Sequence, residues 1–347
     1  MPVTIVVGGQ YGSEGKGKVA HYLAREMGAG FAVRCGGPNS GHTVIDEQGN
    51  ARIFQQLPTA AILPDVKLVI CAGSYIDLDI LYREINETNV DAGSLLIDPD
   101  AVIITPELKE REASSGLINR ISSTGSGTGA AVAARINREK KLLFAKDIQE
   151  LKPFITSVPA MLRSSLNNKE RIIIEGTQGF GLSPLHARHY PYATSRDTTA
   201  AAFLSETGLS PLDVDDVVMV IRAFPIRVAG KSGPLRDEIN WETVTREGGH
   251  QRLIQEKTSV TKRLRRVARF DSEIVRLAID ANRPTRVVLN HLDYLSFSED
   301  PIHSSCIIGF IQSVEKSTGC IVSLLGFGPG KIVESIRNIF SIGVING

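Results

Sequence analysis

Short apolar runs recur along the chain: residues 4–8 (TIVVG), 31–35 (FAVRC), 67–71 (KLVIC), 94–98 (SLLID), 101–105 (AVIIT), 171–176 (RIIIEG), 216–224 (DVVMVIRAF), 286–292 (RVVLNHL) and 320–326 (CIVSLLG). They are rich in Val and Ile and apolar at successive positions, the pattern of strands buried on both faces. Between several of them the apolar positions take helical spacing, over Lys18–Met27, Leu78–Thr88, Ala130–Lys140 and Ser272–Ala281. Strands alternating with helices predict an α/β fold, with a mostly parallel central sheet flanked by helices. No repeat, low-complexity tract or long Pro/Gly/Ser linker divides the chain. Residues 229–233 are loop-like but short, so 1–347 is expected to form one domain with long functional loops.

Composition narrows the function classes. The 347 residues are 42% hydrophobic, enough for a sizeable core. Lys+Arg 39 against Asp+Glu 38 gives no bulk charge to hold a nucleic acid. No apolar stretch nears membrane-spanning length, and the N-terminus enters TIVVGG without a basic or cleavage segment. A soluble, cytoplasmic protein with no membrane partner is the expectation. Cys35, Cys71, Cys306 and Cys320 lack metal-ligand spacing and lie in or beside apolar runs, which predicts buried free thiols.

The first strand runs into GGQYGSEGKGK at 8–18, ahead of the first helix. Glycines allow a tight turn with backbone N–H groups close to a ligand, and a helix N-terminus adds positive potential. Lys16 and Lys18 add full charges, so the segment reads as a phosphate cradle. From Gly12 to Lys18 it fits G-x-x-x-x-G-K, but Val19 follows where a P-loop has the Ser or Thr for magnesium. A Gly-rich turn with solvated lysines is the bland alternative.

This loop and the motifs after it resemble the adenylosuccinate synthetase family. GGPNSGHT (36–43) is similar to the family's N-x-G-H-T loop, and SSTGSGTG (122–129) to T-T-G-R-G-I-G-P. EGTQG (175–179), YPYATSRDTTA (190–200), TKRLRR (261–266), NHLD (290–293) and GFGPG (326–330) resemble later family motifs, in family order. The resemblance implies a ligase that joins L-aspartate to C6 of a 6-oxopurine nucleotide. The C6 oxygen is first phosphorylated by a nucleoside triphosphate, which turns a poor leaving group into a good one.

The resemblance also assigns residues. His42 is expected as the acid or electrostatic partner of the phosphoryl group in transit, and Lys16 as a further catalytic group. Gly12, Gly15, Lys16, Gly17, Lys18, Gly41, His42 and Thr43 would hold the triphosphate, with Mg2+ at Ser13 and the Gly41 carbonyl. Asn39, Thr124, Gly125, Gln178, Leu182, Thr194 and Val228 would hold the substrate nucleotide. Arg138 would reach it from the other subunit of a homodimer. Ser259, Val260, Thr261, Lys262 and Arg263 would hold aspartate, with the Arg263 fork on a carboxylate. Arg265, Asn290, His291, Asp293, Gly328 and Pro329 would surround the donor nucleotide. Ordinary turn chemistry, core packing or a solvated basic face is the alternative for several of these.

Three positions depart from the family pattern. Lys262 stands where the family has Gly after the Thr. His291 stands where GTP-using members have Lys. Ser13 stands where the family has the Asp that takes the N1 proton of IMP and helps hold magnesium. A hydroxyl carries no charge and is a poor base near neutral pH. It is smaller than a carboxylate and accepts a hydrogen bond from an amine beside N1. On this ground the chain most resembles the phage 2-aminoadenylosuccinate synthetase branch, which acts on dGMP with ATP or dATP. An IMP- and GTP-dependent enzyme and a non-catalytic nucleotide sensor are the alternatives. Retention of His42, Gln178, Thr261, Arg263 and Arg265 argues against the sensor.

Overall fold

The computed structural model describes residues 2–258, 262–298 and 300–335. Its centre is a nine-stranded sheet. In chain order the strands are β1 (Val3–Gly8), β2 (Phe31–Arg34), β3 (Lys67–Ile70), β4 (Leu95–Ile97), β5 (Ile172–Glu175), β6 (Val214–Arg222), β7 (Arg286–Asn290), β8 (Leu324–Phe327) and β9 (Lys331–Glu334). Their spatial order is β9-β8-β7-β6-β1-β5-β2-β3-β4. Every neighbouring pair is parallel except β8 with β9. The α/β fold with a mostly parallel sheet is therefore observed.

The unbroken apolar runs have a direct cause. Along β1, Val3, Ile5 and Val7 enter one core and Val6 enters another. In β6, Met219 and Ile221 alternate in the same way with Val218 and Val220. Helices cover both faces. Lys16–Glu26 contributes Val19, Ala20, Leu23 and Ala24 to one core, while Val158–Asn167, Ala200–Thr207 and Ser272–Asn282 pack on the other. The edge strand β9 is the exception: Lys331 and Glu334 are exposed, and charge discourages edge-to-edge pairing.

Three elements differ from the expectation. Residues 101–105 do not join the main sheet; only Val102–Ile103 is extended, paired with Tyr75–Ile76. The helix expected over Ala130–Lys140 spans Thr128–Ile136, ends at Asn137, and is followed by Arg138 at φ 56°. Cys35 and Cys71 are buried, but Cys306 is exposed and Cys320 partly so. Among the described residues no helix is long and apolar enough to cross a membrane.

Parallel strands place their C-terminal ends on one edge, where Gly8, Arg34, Glu175, Arg222, Asn290 and Phe327 lead into loops. This is the edge at which open α/β sheets bind ligands. A Cβ at Gly176, the residue after β5, would lie 2.4 Å from the Phe203 ring and 2.7 Å from the Val6 carbonyl oxygen. Gly176→Ala is expected to lower stability by about 2 kcal/mol, within the range for overpacking. Urea unfolding measures it, and a loss under about 0.5 kcal/mol would contradict this close seat.

Candidate active site

The loops at that edge enclose a cavity of about 770 Å³. Its first wall is the glycine-rich segment after β1. Glu14 is fully buried beneath it and accepts hydrogen bonds from Gln10 N (3.1 Å), Gly12 N (2.8 Å) and Lys16 Nζ (2.7 Å). The loop is thus wound around an internal carboxylate, and Lys16 is tethered before any ligand arrives. Gly12 and Gly15 take φ of 90° and 92°, values that glycine reaches without a steric penalty. Ser13, at φ 58°, lines the cavity, and its carbonyl accepts from Arg222 Nη1 at 2.8 Å. Lys18 donates to the Gly328 carbonyl at 3.0 Å, and burial lowers its pKa to about 8.

His42 lines the cavity beside the first helix, in a cluster of buried charges. Its Nδ1 lies 2.5 Å from Glu175 Oε1, the oxygen that also accepts from Arg34 Nη1 at 2.6 Å. Arg34 Nη1 touches His42 Nδ1 as well. The second Glu175 oxygen accepts from Thr59 N and Oγ1, both at 2.8 Å. Burial and then Arg34 push the His42 pKa down to about 4, against the pull of Glu175. Burial alone would raise the Glu175 pKa, but Arg34, His42 and the Thr59 amide outweigh it and hold it at about 2. His42 is therefore neutral at pH 7. A proton on Nδ1 facing Glu175 leaves the lone pair on Nε2. The first helix approaches this cluster closely, since a Cβ at Gly17 would lie 2.7 Å from His42 Cβ.

Another wall carries Glu256 and Arg265, with Arg222 buried behind them. Glu256 bridges the two guanidiniums, touching Arg222 Nη2 and accepting from Arg265 Nη1 at 2.7 Å. Burial alone would raise its pKa, but Arg222, His291 and Arg265 hold it far below the carboxylate range. Asp293 Oδ1 accepts from Gly328 N at 2.8 Å, which fixes the loops after β7 and β8 to each other. His291 lines the cavity beside Tyr294, its pKa pushed well below normal by burial and Arg222.

Most residues singled out from the sequence meet in this cavity. Gly12, Ser13, Gly15, Lys16, Gly17, Lys18, Asn39, Gly41, His42 and Thr43 line it. So do Thr124, Gln178, Leu182, Thr194, Val228, Arg263, Arg265, His291, Asp293, Gly328 and Pro329. Gly125 and Lys262 stand back from it, and Arg138 is exposed on the surface away from its own chain's cavity. Ser259, Val260 and Thr261 lie outside the described residues. Asn290 is fully buried behind the glycine-rich loop, where its Nδ2 donates to the Glu14 carbonyl at 2.8 Å. It braces the loop and presents no atom to the cavity.

Several functional groups gave no signal of their own in the sequence: Glu14, Arg34, Glu175, Arg222 and Glu256. Glu14 and Glu175 lie inside the singled-out motifs, so the motifs located them without revealing their work. Cys35 and Cys71, just past the ends of β2 and β3, cluster with Glu206 of the helix Ala200–Thr207. Their contacts are already internal: Cys35 with the Phe203 carbonyl, Cys71 with the Arg34 carbonyl, and Glu206 with Arg196 at 3.0 Å.

The acid response of this site is testable. His42 is depressed in the folded chain, so the unfolded chain binds the proton first as pH falls. Stability is complete above about pH 6.5 and declines from there through about 4, and Glu175 adds a further loss between about 4.5 and 2. Replacing His42 by Phe should flatten the decline between pH 6.5 and 4.5 in urea unfolding. An unchanged slope would contradict a buried neutral imidazole.

Comparison with known proteins gives the family. The adenylosuccinate synthetase family model matches residues 5–145 and 143–302. Adenylosuccinate synthetase of Thermococcus onnurineus is 39% identical over 342 residues, covering 95% of this chain and 96% of that one. The enzyme of Methanocaldococcus jannaschii is 37% identical over 336 residues, covering 94% of each. Among solved structures, the succinoaminodeoxyadenylate synthetase of cyanophage S-2L, bound to dGMP and dATP, is similar with TM-score 0.82 and 30% identity. That likeness covers 99% of this chain and 98% of the phage chain. Fully ligated adenylosuccinate synthetase of Plasmodium falciparum shares the fold, with TM-score 0.84 and 19% identity over 96% of this chain and 100% of that one. The chain belongs to the adenylosuccinate synthetase family, and it is a ligase that joins aspartate to a purine nucleotide using a nucleoside triphosphate.

Proposed function

We propose that the purine nucleotide is dGMP, that the donor is ATP or dATP, and that the product is the N6-succino derivative of 2-amino-2′-deoxyadenylate. Ser13 carries this reading. It lines the cavity where the family resemblance places an Asp, and among the described residues the lining carboxylates Glu112, Glu256 and Asp293 are each already engaged by the protein. Glu112 accepts from Ser123 Oγ and Gly129 N, Glu256 is held by two arginines, and Asp293 accepts from Gly328 N. A hydroxyl leaves room for a 2-amino group and accepts its hydrogen bond. The cyanophage protein solved with dGMP and dATP supports the same assignment.

In the proposed sequence N1 releases its proton to water as the C6 oxygen attacks the γ-phosphorus, and the bond to the β–γ bridging oxygen breaks, releasing the nucleoside diphosphate. The aspartate amine then adds at C6, and the C6–O bond breaks to release phosphate. Lys18 and the backbone around Gly15–Lys18 face the donor phosphates. His42, neutral and fixed through Nδ1, turns Nε2 to the phosphoryl group, whose arriving charge raises the imidazole's proton affinity. Arg263 faces the aspartate carboxylate, and Arg138 reaches a partner subunit's nucleotide in a homodimer. The family implies Mg2+. The Ser13 hydroxyl and the Gly41 carbonyl both border the cavity and suit a hard ion that takes its remaining oxygens from phosphates. Such an ion would neutralise phosphate charge.

A second reading, IMP as substrate with GTP as donor, is favoured by the identities. The archaeal enzymes named adenylosuccinate synthetase stand at 39% and 37%, against 30% for the phage protein. On identity alone this reading is ahead. Phosphate release with Mg2+, aspartate and ATP or GTP, and with dGMP or IMP in parallel, separates the two. The proposal expects kcat/KM at least about tenfold higher for dGMP, one good hydrogen bond's discrimination; a higher value for IMP overturns it. Ser13→Asp should weaken dGMP use by a similar factor and improve IMP use, and unchanged dGMP kinetics would refute the role of Ser13. His42→Ala should lower kcat by about 10² or more.

A further inference from the structure

We propose that Glu256 is a positioning residue that ties the Ser13 side of the cavity to the Arg263 and Arg265 side, so that the nucleotide and aspartate subsites are set as one unit. The inference rests on the functional reading above for what each subsite binds. It concerns a residue to which neither the sequence motifs nor the comparisons give a role.

The connection is a chain of short contacts. Gln10 clamps the Arg222 backbone from both sides, Nε2 to the carbonyl at 3.1 Å and Oε1 to the amide at 2.9 Å. The Arg222 side chain has no exposed surface, and its Nη1 donates to the Ser13 carbonyl at 2.8 Å. The same guanidinium holds Glu256, with Nη1 to Oε2 at 3.3 Å and Nη2 against Oε1. Glu256 in turn accepts from Arg265 Nη1 at 2.7 Å, while its carbonyl accepts from the Arg265 amide at 2.8 Å. Beyond this rung the antiparallel bridge Lys257–Leu264 and the bond from Thr258 N to the Arg263 carbonyl (2.9 Å) carry the register on to Arg263.

Charge explains why one carboxylate controls both sides. Arg222 and Arg265 would repel each other across a poorly hydrated gap without an anion between them. Glu256 supplies that anion and stays ionised, so the tie does not depend on pH across the neutral range. Removing its charge leaves two buried guanidiniums that separate, and each carries its own segment along.

Glu256→Gln keeps the shape and removes the charge; Glu256→Asp keeps the charge and retracts it by one methylene. Two readouts test the tie. First, amide hydrogen exchange should rise at least tenfold in both segments of Glu256→Gln, at Thr258 and Arg265 and also at Gly12 in the Ser13 loop. Second, KM for aspartate should rise at least tenfold in Glu256→Gln and by an intermediate factor in Glu256→Asp. A lower melting temperature with every KM unchanged would mean a merely structural role and overturns the proposal. So does exchange that rises in one segment alone. If Glu256→Gln does not fold, Glu256→Asp carries the same comparison with a smaller expected rise. If the native chain releases no aspartate-dependent phosphate with any purine monophosphate, the functional reading fails, while the exchange comparison still decides the tie.

Discussion

The carboxylate of Glu175 is the charge around which the ligand-binding edge of the sheet is organised. It ends β5 and is almost wholly buried, with all the polar contacts such a group requires. Arg34, at the end of β2, meets one oxygen together with His42, and Thr59 supplies two donors to the other. Arg34 also donates to the Ser40 carbonyl, and the single Thr59 hydroxyl proton is shared between Glu175 and the Gly17 carbonyl 2.9 Å away. One charge thereby fixes two strands, the loop before His42, the first helix and the Thr59 turn. An ion buried this deeply is tolerated only when fully paired, and losing one partner of such a group typically costs about 3–5 kcal/mol. The imidazole that lines the cavity is thus immobilised by the same contacts that hold the fold.

A second internal carboxylate plays the corresponding part for the phosphate loop. Glu14 collects the loop's own amides and the Lys16 ammonium, and Asn290 holds its carbonyl from behind. The positive character of the loop is therefore distributed. Lys16 is locally compensated, while Lys18 lies nearer the loops after β7 and β8, against Gly328 and Asp293. Preformed donors of this kind suit charge that develops during phosphoryl transfer, because little reorganisation is left to do.

Much of this was legible in the sequence. The unbroken Val/Ile runs marked the parallel strands because each strand of such a sheet divides its side chains between two covered faces. The glycine-rich segment after β1 marked a cavity-lining loop because its backbone needs left-handed turns. The run at 101–105 misled because an apolar run signals burial, and a two-residue pairing with Tyr75–Ile76 buries Val102 and Ile103 as well as a main-sheet position would. The helix of 128–136 ended early at Asn137 and Arg138, where helical spacing alone gave no stop. Cys306 and Cys320 were expected inside because their neighbours are apolar, yet they fall at the exposed start and just past the end of the helix Ser305–Thr318. Arg222 and Glu256 were not legible, since their meaning depends on contact between segments 34 positions apart. Asn290 was legible as part of a motif, but its side chain turns inward to the loop.

The central claim is that this site activates the purine by phosphorylating its C6 oxygen before aspartate displaces it. Turnover of dGMP labelled with 18O at C6, in the presence of aspartate and ATP, tests this directly by mass analysis of the released phosphate. The account predicts that each phosphate released carries the C6 oxygen, one 18O per turnover. Unlabelled phosphate, with the 18O lost to water or retained in the purine product, would contradict it.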